Sequence, residues 1–314
     1  MCDSAGQNPF PNSWRRGACS TCHVPVLLRD GAPRTKVSTQ PAHICMVEAI
    51  RSSTCPVTVL ETGPLSCVSR AFQMAPELTA NSLAHRIVWM GGAVWVPGNV
   101  QGKDRDGSAE WNAYWDPHAV DQVLNHGPPI HICPLDCSQG APLTSDLLYR
   151  LSCTTHAGSL GDIAASLLVP MMNGWTGVCY NSAEQRDEGE WTPEAGGTVC
   201  SDDVGPSAAA AYAWDALAAS YILWPDIFHG QPARLQVALD TNAAGRLSAV
   251  SPSPPVSSPH TPAPPPPASS TPAQLAAEAP GAKLSPGPAS SFVLTGVDAV
   301  EWEQRVIRLF GSLS

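Results

Sequence analysis

The sequence predicts an α/β fold: a mostly parallel open sheet with helices on both faces. Three observations predict it. Short apolar runs rich in β-branched residues recur as "PVTVLETG" (Pro56–Gly63), "HRIVWMGG" (His85–Gly92) and "IHICPLD" (Ile130–Asp136). Between them, "SCVSRAFQMAPEL" and "WDPHAVDQVLNHG" repeat apolar residues every three or four positions, the period of a half-buried helix. Strands that alternate with such helices are joined by crossovers and lie parallel.

The first two strands stop at glycine, and the third runs into Pro134 and a polar turn. Open sheets of this kind bind ligands at the carboxyl ends of their strands. Thr62-Gly63, Met90-Gly91 and Asp136 fall there. Further on, "AAAAYAWDALAASYILW" (Ala208–Trp224) reads as a late helix. After Val250 the composition changes: 13 of the 41 residues from Ser251 to Ser291 are proline, and little of the stretch could build a core. It reads as a disordered, locally polyproline-II segment, either a solvated spacer or a ligand for a reader of proline-rich motifs. "VDAVEWEQRVIRLF" (Val297–Phe310) then reads as an amphipathic helix, with Val297, Val300, Val306, Ile307 and Phe310 near one face. Such a face should dock on the main domain. The expected division is therefore a domain over residues 1–250, an insertion over 251–291 and a returning helix in 292–314.

A net charge of −10 with 17 basic residues and no basic cluster excludes the electrostatic footprint of a nucleic-acid partner. The run Ala208–Trp224 has 17 residues and is broken by Asp215, short of the roughly 20 that a membrane span needs. "MCDSAGQNPF" lacks the charged-then-apolar pattern of a secretory leader. Eleven scattered cysteines then suit reduced thiols in a soluble, cytoplasmic protein without a membrane partner. The pair in "CSTCH" (Cys19, Cys22, His23) has no second pair at zinc-site spacing.

The densest chemistry lies in "MGGAVWVPGNVQGKDRDGSAEWNAYWDP" (Met90–Pro117). Asn99, Glu110 and Asn112 gather after one strand end. Carboxamides donate and accept hydrogen bonds and a carboxylate accepts strongly, which suits a ligand covered in hydroxyls.

This segment closely resembles the ribose-binding segment of the inosine-uridine nucleoside hydrolases. "VLETGPLSCVSRAFQMAPEL" resembles that family's strand followed by a GPLTN helix, with Ser66-Cys67 where Thr-Asn is usual. "PLDCSQGAPLT" is similar to its PLDxT segment, and "AYAWDALAASYILWPDIF" to its late aspartate-bearing helix. The resemblance runs in the family's order through residues 8–250 and 295–312, with "NPFPNSWRR" near its start. It implies that Asn99, Glu110 and Asn112 hold ribose hydroxyls, that Met90 lies under the sugar and that Trp111 lines the pocket. It also implies that the Thr62 carbonyl and the Asp215 carboxylate coordinate calcium, an ion that takes many oxygen ligands. Trp214 stands where some members place a leaving-group histidine; it can stack on a base but shuttles no proton. Homo-oligomers are common in the family, and the implied partner is a ribonucleoside.

One departure matters. The family's DxDxxxDD run, which supplies the general base and most calcium carboxylates, does not occur in these 314 residues. The first strand region is therefore expected to be missing, with no residue in the family's catalytic-base position. The candidates for a replacement acid are Asp104, Asp106 and Asp136. Two readings stay open: a ribonucleoside N-ribohydrolase that cleaves the N-glycosidic bond to base and ribose, or a non-catalytic relative or truncated product that binds ribose weakly or serves as an interaction module.

Overall fold

The computed structural model describes residues 38–80, 84–100, 105–154, 161, 164, 212–240, 242–250 and 291–312. Asp104, the Cys19–Cys22 pair, "NPFPNSWRR", the acidic stretch Glu184–Gly197 and the proline-rich stretch lie outside them.

Helix α1 (Ala42–Ser52) leads into strand β1 (Val57–Glu61), whose β-branched residues favour the extended chain. The next helical stretch is split: α2 (Ser66–Met74) stops at Ala75 and a short α3 (Glu77–Ala80) follows, because Pro76 cannot supply the N–H that a continuous helix requires. Strand β2 (Ala84–Met90) comes next, then α4 (Trp111–Trp115) and α5 (Pro117–His126). α5 begins with proline in its first turn, and the Asp116 carboxylate accepts the Ala119 N–H at 3.0 Å as a cap. Strand β3 (Ile130–Cys133), α6 (Leu135–Ser138) and α7 (Ser145–Thr154) precede the late helix α8 (Trp214–Leu223). After it come β4 (Phe228–Ala233), the short pair β5 (Leu235–Val237) and β6 (Leu247–Ala249), strand β7 (Ser291–Val297) and helix α9 (Ala299–Ser312).

Five strands form one sheet in the order β1-β2-β3-β7-β4; all neighbours are parallel except β4, which runs antiparallel to β7. Alternation along β2 sends Ile87 and Trp89 to one face, Val88 and Met90 to the other. Helices α1, α2 and α5 cover the first face, with Val47, Ile50, Val68, Phe72, Val120 and Val123 in its core. On the second face α6, α7, α8 and α9 bury Leu135, Leu147, Leu151, Leu217 and Trp302. The sheet is open, and helices flank both sides, as the alternation of periods predicts.

The C-terminal piece corrects the sequence reading. Val297 ends a strand, and the helix starts two residues later. β7 is an inner strand, paired through His131↔Phe292 on one side and Gln231↔Val293 on the other. Its apolar residues run directly into those of the helix, so a helical period fits across the boundary even though the chain changes conformation there. Val300, expected on the docking face, is 67% exposed; Val306, Ile307 and Phe310 do pack inward. The anchor is Trp302, whose Nε1–H donates to Ser220 Oγ of α8 at 2.9 Å.

Removing a fully buried tryptophan costs about 3–5 kcal/mol, and an exposed valine costs within about 0.5 kcal/mol. Trp302→Ala should therefore lower the urea midpoint sharply, whereas Val300→Ala should leave it nearly unchanged; equilibrium unfolding of the two variants checks this.

Candidate functional site

The carboxyl ends of β1, β2 and β3 point to one edge of the sheet, and the loops leaving them meet there. β2 ends at Met90 and turns through Gly91-Gly92. Gly92 has φ +83°, a left-handed conformation that a side chain disfavours. Its N–H donates to Glu110 Oε2 at 2.8 Å. The loop then passes Val94 and Trp95, whose N–H groups donate to the two carboxylate oxygens of Asp136 at 2.9 and 2.8 Å. At Gly98 the chain presses so closely on Ala109 that a Cβ would lie 2.1 Å from its carbonyl oxygen. Asn99 and Val100 donate their N–H groups to that same carbonyl at 2.9 and 3.0 Å. The two arms of the loop are thus zipped together before helix α4 starts.

Glu110 caps that helix. It is 3% exposed, and its carboxylate accepts the N–H of Asn112 at 3.0 Å and of Ala113 at 3.3 Å besides that of Gly92. Burial still outweighs these bonds and, with some repulsion from Asp215, pushes the Glu110 carboxyl up to about 7. A carboxylate has about four acceptor positions, so room remains for a ligand hydroxyl. Asn112, also buried, donates from Nδ2 to the Met90 carbonyl at 3.0 Å and to the Thr62 carbonyl at 3.3 Å, with Met90 Sδ at 3.4 Å. Both amide protons are engaged, so the side chain has its carbonyl oxygen to offer. Asn99 Oδ1 accepts the Trp111 N–H at 3.1 Å. Trp111 in turn sits edge-on to Tyr114, ring centroids 5.7 Å apart.

Thr62, Met90, Asn99, Glu110, Trp111 and Asn112 are therefore joined by direct hydrogen bonds or contacts. Asp215 and Trp214 come from the first turn of α8, which packs on β2. Trp214 lies against the core cluster that contains Met90, and its ring centroid is 5.9 Å from that of Tyr212. Asp215 keeps much of its surface open to solvent, yet enough protein surrounds it for burial to push its carboxyl up to about 6. Glu61 is likewise pushed up, chiefly by burial, and repulsion from Asp215 adds a smaller contribution to it as to Glu110.

Of the replacement acids, Asp136 and Asp106 do not join this group. Both oxygens of Asp136 are taken by backbone N–H groups, which makes it a clamp on the loop carrying Asn99. Asp106 is exposed and bonded to Ser108 N–H at 2.9 Å and to the Ser108 hydroxyl. The sequence reading does not single out Glu61, the last residue of β1. Its one signal is an acid placed at a strand end just before Thr62-Gly63.

A mostly parallel open sheet, flanked by helices, with carboxamides and a carboxylate gathered at its strand ends defines an open-sheet α/β protein whose candidate site lies where its strands end. The family model described as inosine-uridine preferring nucleoside hydrolase matches residues 12–273, and the chain belongs to that family. A pyrimidine-specific ribonucleoside hydrolase, RihA, of Shewanella sp. (strain ANA-3) is 35% identical over 130 residues, covering 39% of this chain and 37% of the relative. The RihA of Photobacterium profundum is 32% identical over 125 residues, 38% of this chain and 36% of that protein. The matched stretch thus spans little more than a third of these relatives. Among solved structures, the inosine-uridine preferring nucleoside hydrolase of Bacillus anthracis superposes with a TM-score of 0.66 at 22% identity, covering 97% of this chain and 76% of that one. The purine-preferring ribonucleoside hydrolase of Gardnerella vaginalis gives 0.61 at 17% identity, covering 90% and 68%. These likenesses show the fold.

Nucleoside hydrolases are generally metal-dependent. Here the donors do not add up to a calcium site: among the described residues no group of three or more His, Cys, Asp or Glu side chains is placed to hold a metal ion. The Thr62 carbonyl and the Asp215 carboxylate are two oxygen donors, where calcium takes about six to eight ligands.

A native pKa raised above the unfolded value means that the folded chain holds its proton more tightly. The stability linked to Glu110 is then full below about pH 4.5 and is lost as pH rises through about 7. The loss amounts to about 3 kcal/mol, at about 1.4 kcal/mol per pKa unit. Urea unfolding midpoints should fall from pH 5 to pH 8, and the fall should be shallower in Glu110→Gln, which has no proton to exchange.

Proposed function

We propose that this site takes the ribose of a ribonucleoside, and that the reaction it serves is hydrolysis of the N-glycosidic bond. In that reaction the bond from C1′ to the base nitrogen breaks, a water oxygen bonds to C1′, and the products are ribose and the free base. The observation that carries the proposal is the pairing of Glu110 and Asn112. Both are buried, both are locked by backbone partners, and each keeps an acceptor position. A sugar edge that donates hydroxyl protons is complementary to such a pair. Met90 beneath Asn112 offers an apolar floor, and Trp111 and Trp214 offer aromatic faces for the sugar or the base. Asn99, fixed by Trp111, supplies a further carboxamide at the same edge. The names of the relatives, which print pyrimidine, purine and inosine-uridine preferences, support a nucleoside rather than a free sugar as the ligand.

A second reading has its own observation. The metal donors fall short, and Asp136 and Asp106 are already committed to other partners, so nothing among the described residues activates a water. On that reading the chain holds ribose without cutting. The family's ion is calcium, which Thr62 and Asp215 alone would hold weakly. Dimers or tetramers are the family's habit, and a proline-rich-motif reader is the proposed partner of residues 251–291 if that segment is more than a spacer. The proposed setting is the cytoplasm, which the free thiols Cys45, Cys55, Cys67, Cys133, Cys137 and Cys153 support.

The two readings part in one experiment. The purified 314-residue chain is incubated with inosine or uridine and calcium, and reducing sugar is measured alongside nucleoside binding. Binding with little or no ribose release is the expected outcome, which favours the second reading. Robust turnover that Glu110→Ala or Asp215→Ala abolishes would overturn it in favour of hydrolysis by this chain. No binding at millimolar nucleoside would overturn the ribose assignment itself.

A further inference from the structure

Glu61 lies within the segment "VLETGPL" but has no role among those the family resemblance implies, yet the site is tied to it. The ladder between β1 and β2 ends at Glu61↔Trp89, so Thr62 and Gly63 lie past the last strand pair. Side chains hold this turn. Glu61 Oε1 accepts the Gly63 N–H at 3.0 Å and closes the chain over Thr62. The fit is tight: a Cβ on Gly63 would lie 3.3 Å from that same oxygen. The two carbonyls of the turn are then free to face other elements. Gly63 O accepts Trp89 Nε1–H at 2.9 Å, and Thr62 O accepts Asn112 Nδ2–H at 3.3 Å.

Asn112 is thus oriented by two carbonyls from neighbouring strand ends. The Met90 carbonyl is fixed by position, since Met90 still pairs with Cys133 in the sheet. The Thr62 carbonyl has no strand pair to fix it; it depends on the turn, which the Glu61 bond to Gly63 N–H closes and the Trp89 bond to Gly63 O ties to β2. Were the turn to open, Asn112 would keep one partner and could rotate about it, and its carbonyl oxygen would no longer have a set direction.

We infer that Glu61 is a positioning residue: by closing the Thr62–Gly63 turn it orients the Asn112 carboxamide and so sets the affinity of the site for a sugar hydroxyl. The affinity half of this statement rests on the ribose reading above; the orientation half does not. Glu61→Ala removes the acceptor. Glu61→Gln keeps a carbonyl oxygen for the Gly63 N–H while removing the negative charge, so it separates the hydrogen bond from the electrostatics.

The test uses the full chain labelled with nitrogen-15. The Asn112 side-chain amide signals are identified by their loss in Asn112→Ala. Glu61→Ala should shift or broaden them, and Glu61→Gln should leave them close to their original positions. In parallel, each chain is titrated with inosine and followed by titration calorimetry. Glu61→Ala should weaken binding about tenfold, Glu61→Gln less than threefold, and Glu61→Ala should cause no further loss in a chain that already carries Asn112→Ala. Unmoved Asn112 signals in Glu61→Ala would overturn the inference, as would a Gln variant that behaves like the Ala variant. If the signals move but the unsubstituted chain does not bind inosine, the orientation stands and the ribose reading falls. If inosine binds and Glu61→Ala changes neither signals nor affinity, the ribose reading stands and this inference falls.

Discussion

Glu110 keeps its carboxylate out of water among the N–H groups of Gly92, Asn112 and Ala113, and the shape of the whole strand-end region follows from that contact. Burying a carboxylate is costly unless donors surround it. Three backbone donors from two different segments can converge only if the Gly91-Gly92 turn and the first turn of α4 stand in one relation to each other. The same carboxylate therefore starts a helix, pins a glycine turn and places Asn112 over Met90. Asp136 and Glu61 repeat the device on a smaller scale at the ends of β3 and β1: Asp136 accepts two backbone N–H groups of the loop after β2, and Glu61 accepts the Gly63 N–H of its own turn. The loops around the site are held by acids that grip main chain.

This arrangement bears on what the site can do. Carboxylates held by backbone donors are poor candidates for moving protons, but they make the surrounding geometry rigid. A rigid set of acceptors suits recognition of a polyol, since hydroxyl donors meet oxygens that need no rearrangement. The water-activating half of a hydrolase asks for something else: an acid with a free oxygen and a concentrated positive charge. Asp215, with an accessible carboxylate and no cluster of metal donors around it among the described residues, supplies only part of that.

How much of this could be read from residues alone depends on the range of the interactions. β1, β2 and β3 are legible because each is a β-branched run with a stop, and α5 because its cap, its Pro117 and its apolar period agree. β4 is not: "FHGQPA" holds glycine and proline, which argue against an inner strand but are tolerated at the sheet edge where it lies. β7 is hidden because its apolar residues merge with the face of α9. In the site, Asn99, Glu110 and Asn112 stand out as polar groups clustered after a strand. The structural duty of Glu110 does not, since glutamate is not a favoured helix cap and Gly92 is 18 residues away. Glu61 escapes notice because its partner is a backbone N–H two residues on, a contact that depends on the turn conformation and leaves no pattern in sequence.

The position of β7 has a consequence for how the molecule is assembled. Its neighbours β3 and β4 are made long before it: residues 130–133 and 228–233 must wait for residues 291–297 before they are joined. The intervening chain adds little to the equilibrium cost of closure, because that cost grows only with the logarithm of length, about 0.6 kcal/mol per doubling. Its effect falls on timing. During synthesis β3 stands as an open parallel edge, with the apolar face of Cys133 and the later helices incomplete beside it, until residues 291–297 have left the ribosome. The strand that seals the sheet is also the strand that brings α9 and Trp302 onto the second core, so closure of the edge and covering of that core happen in one late step.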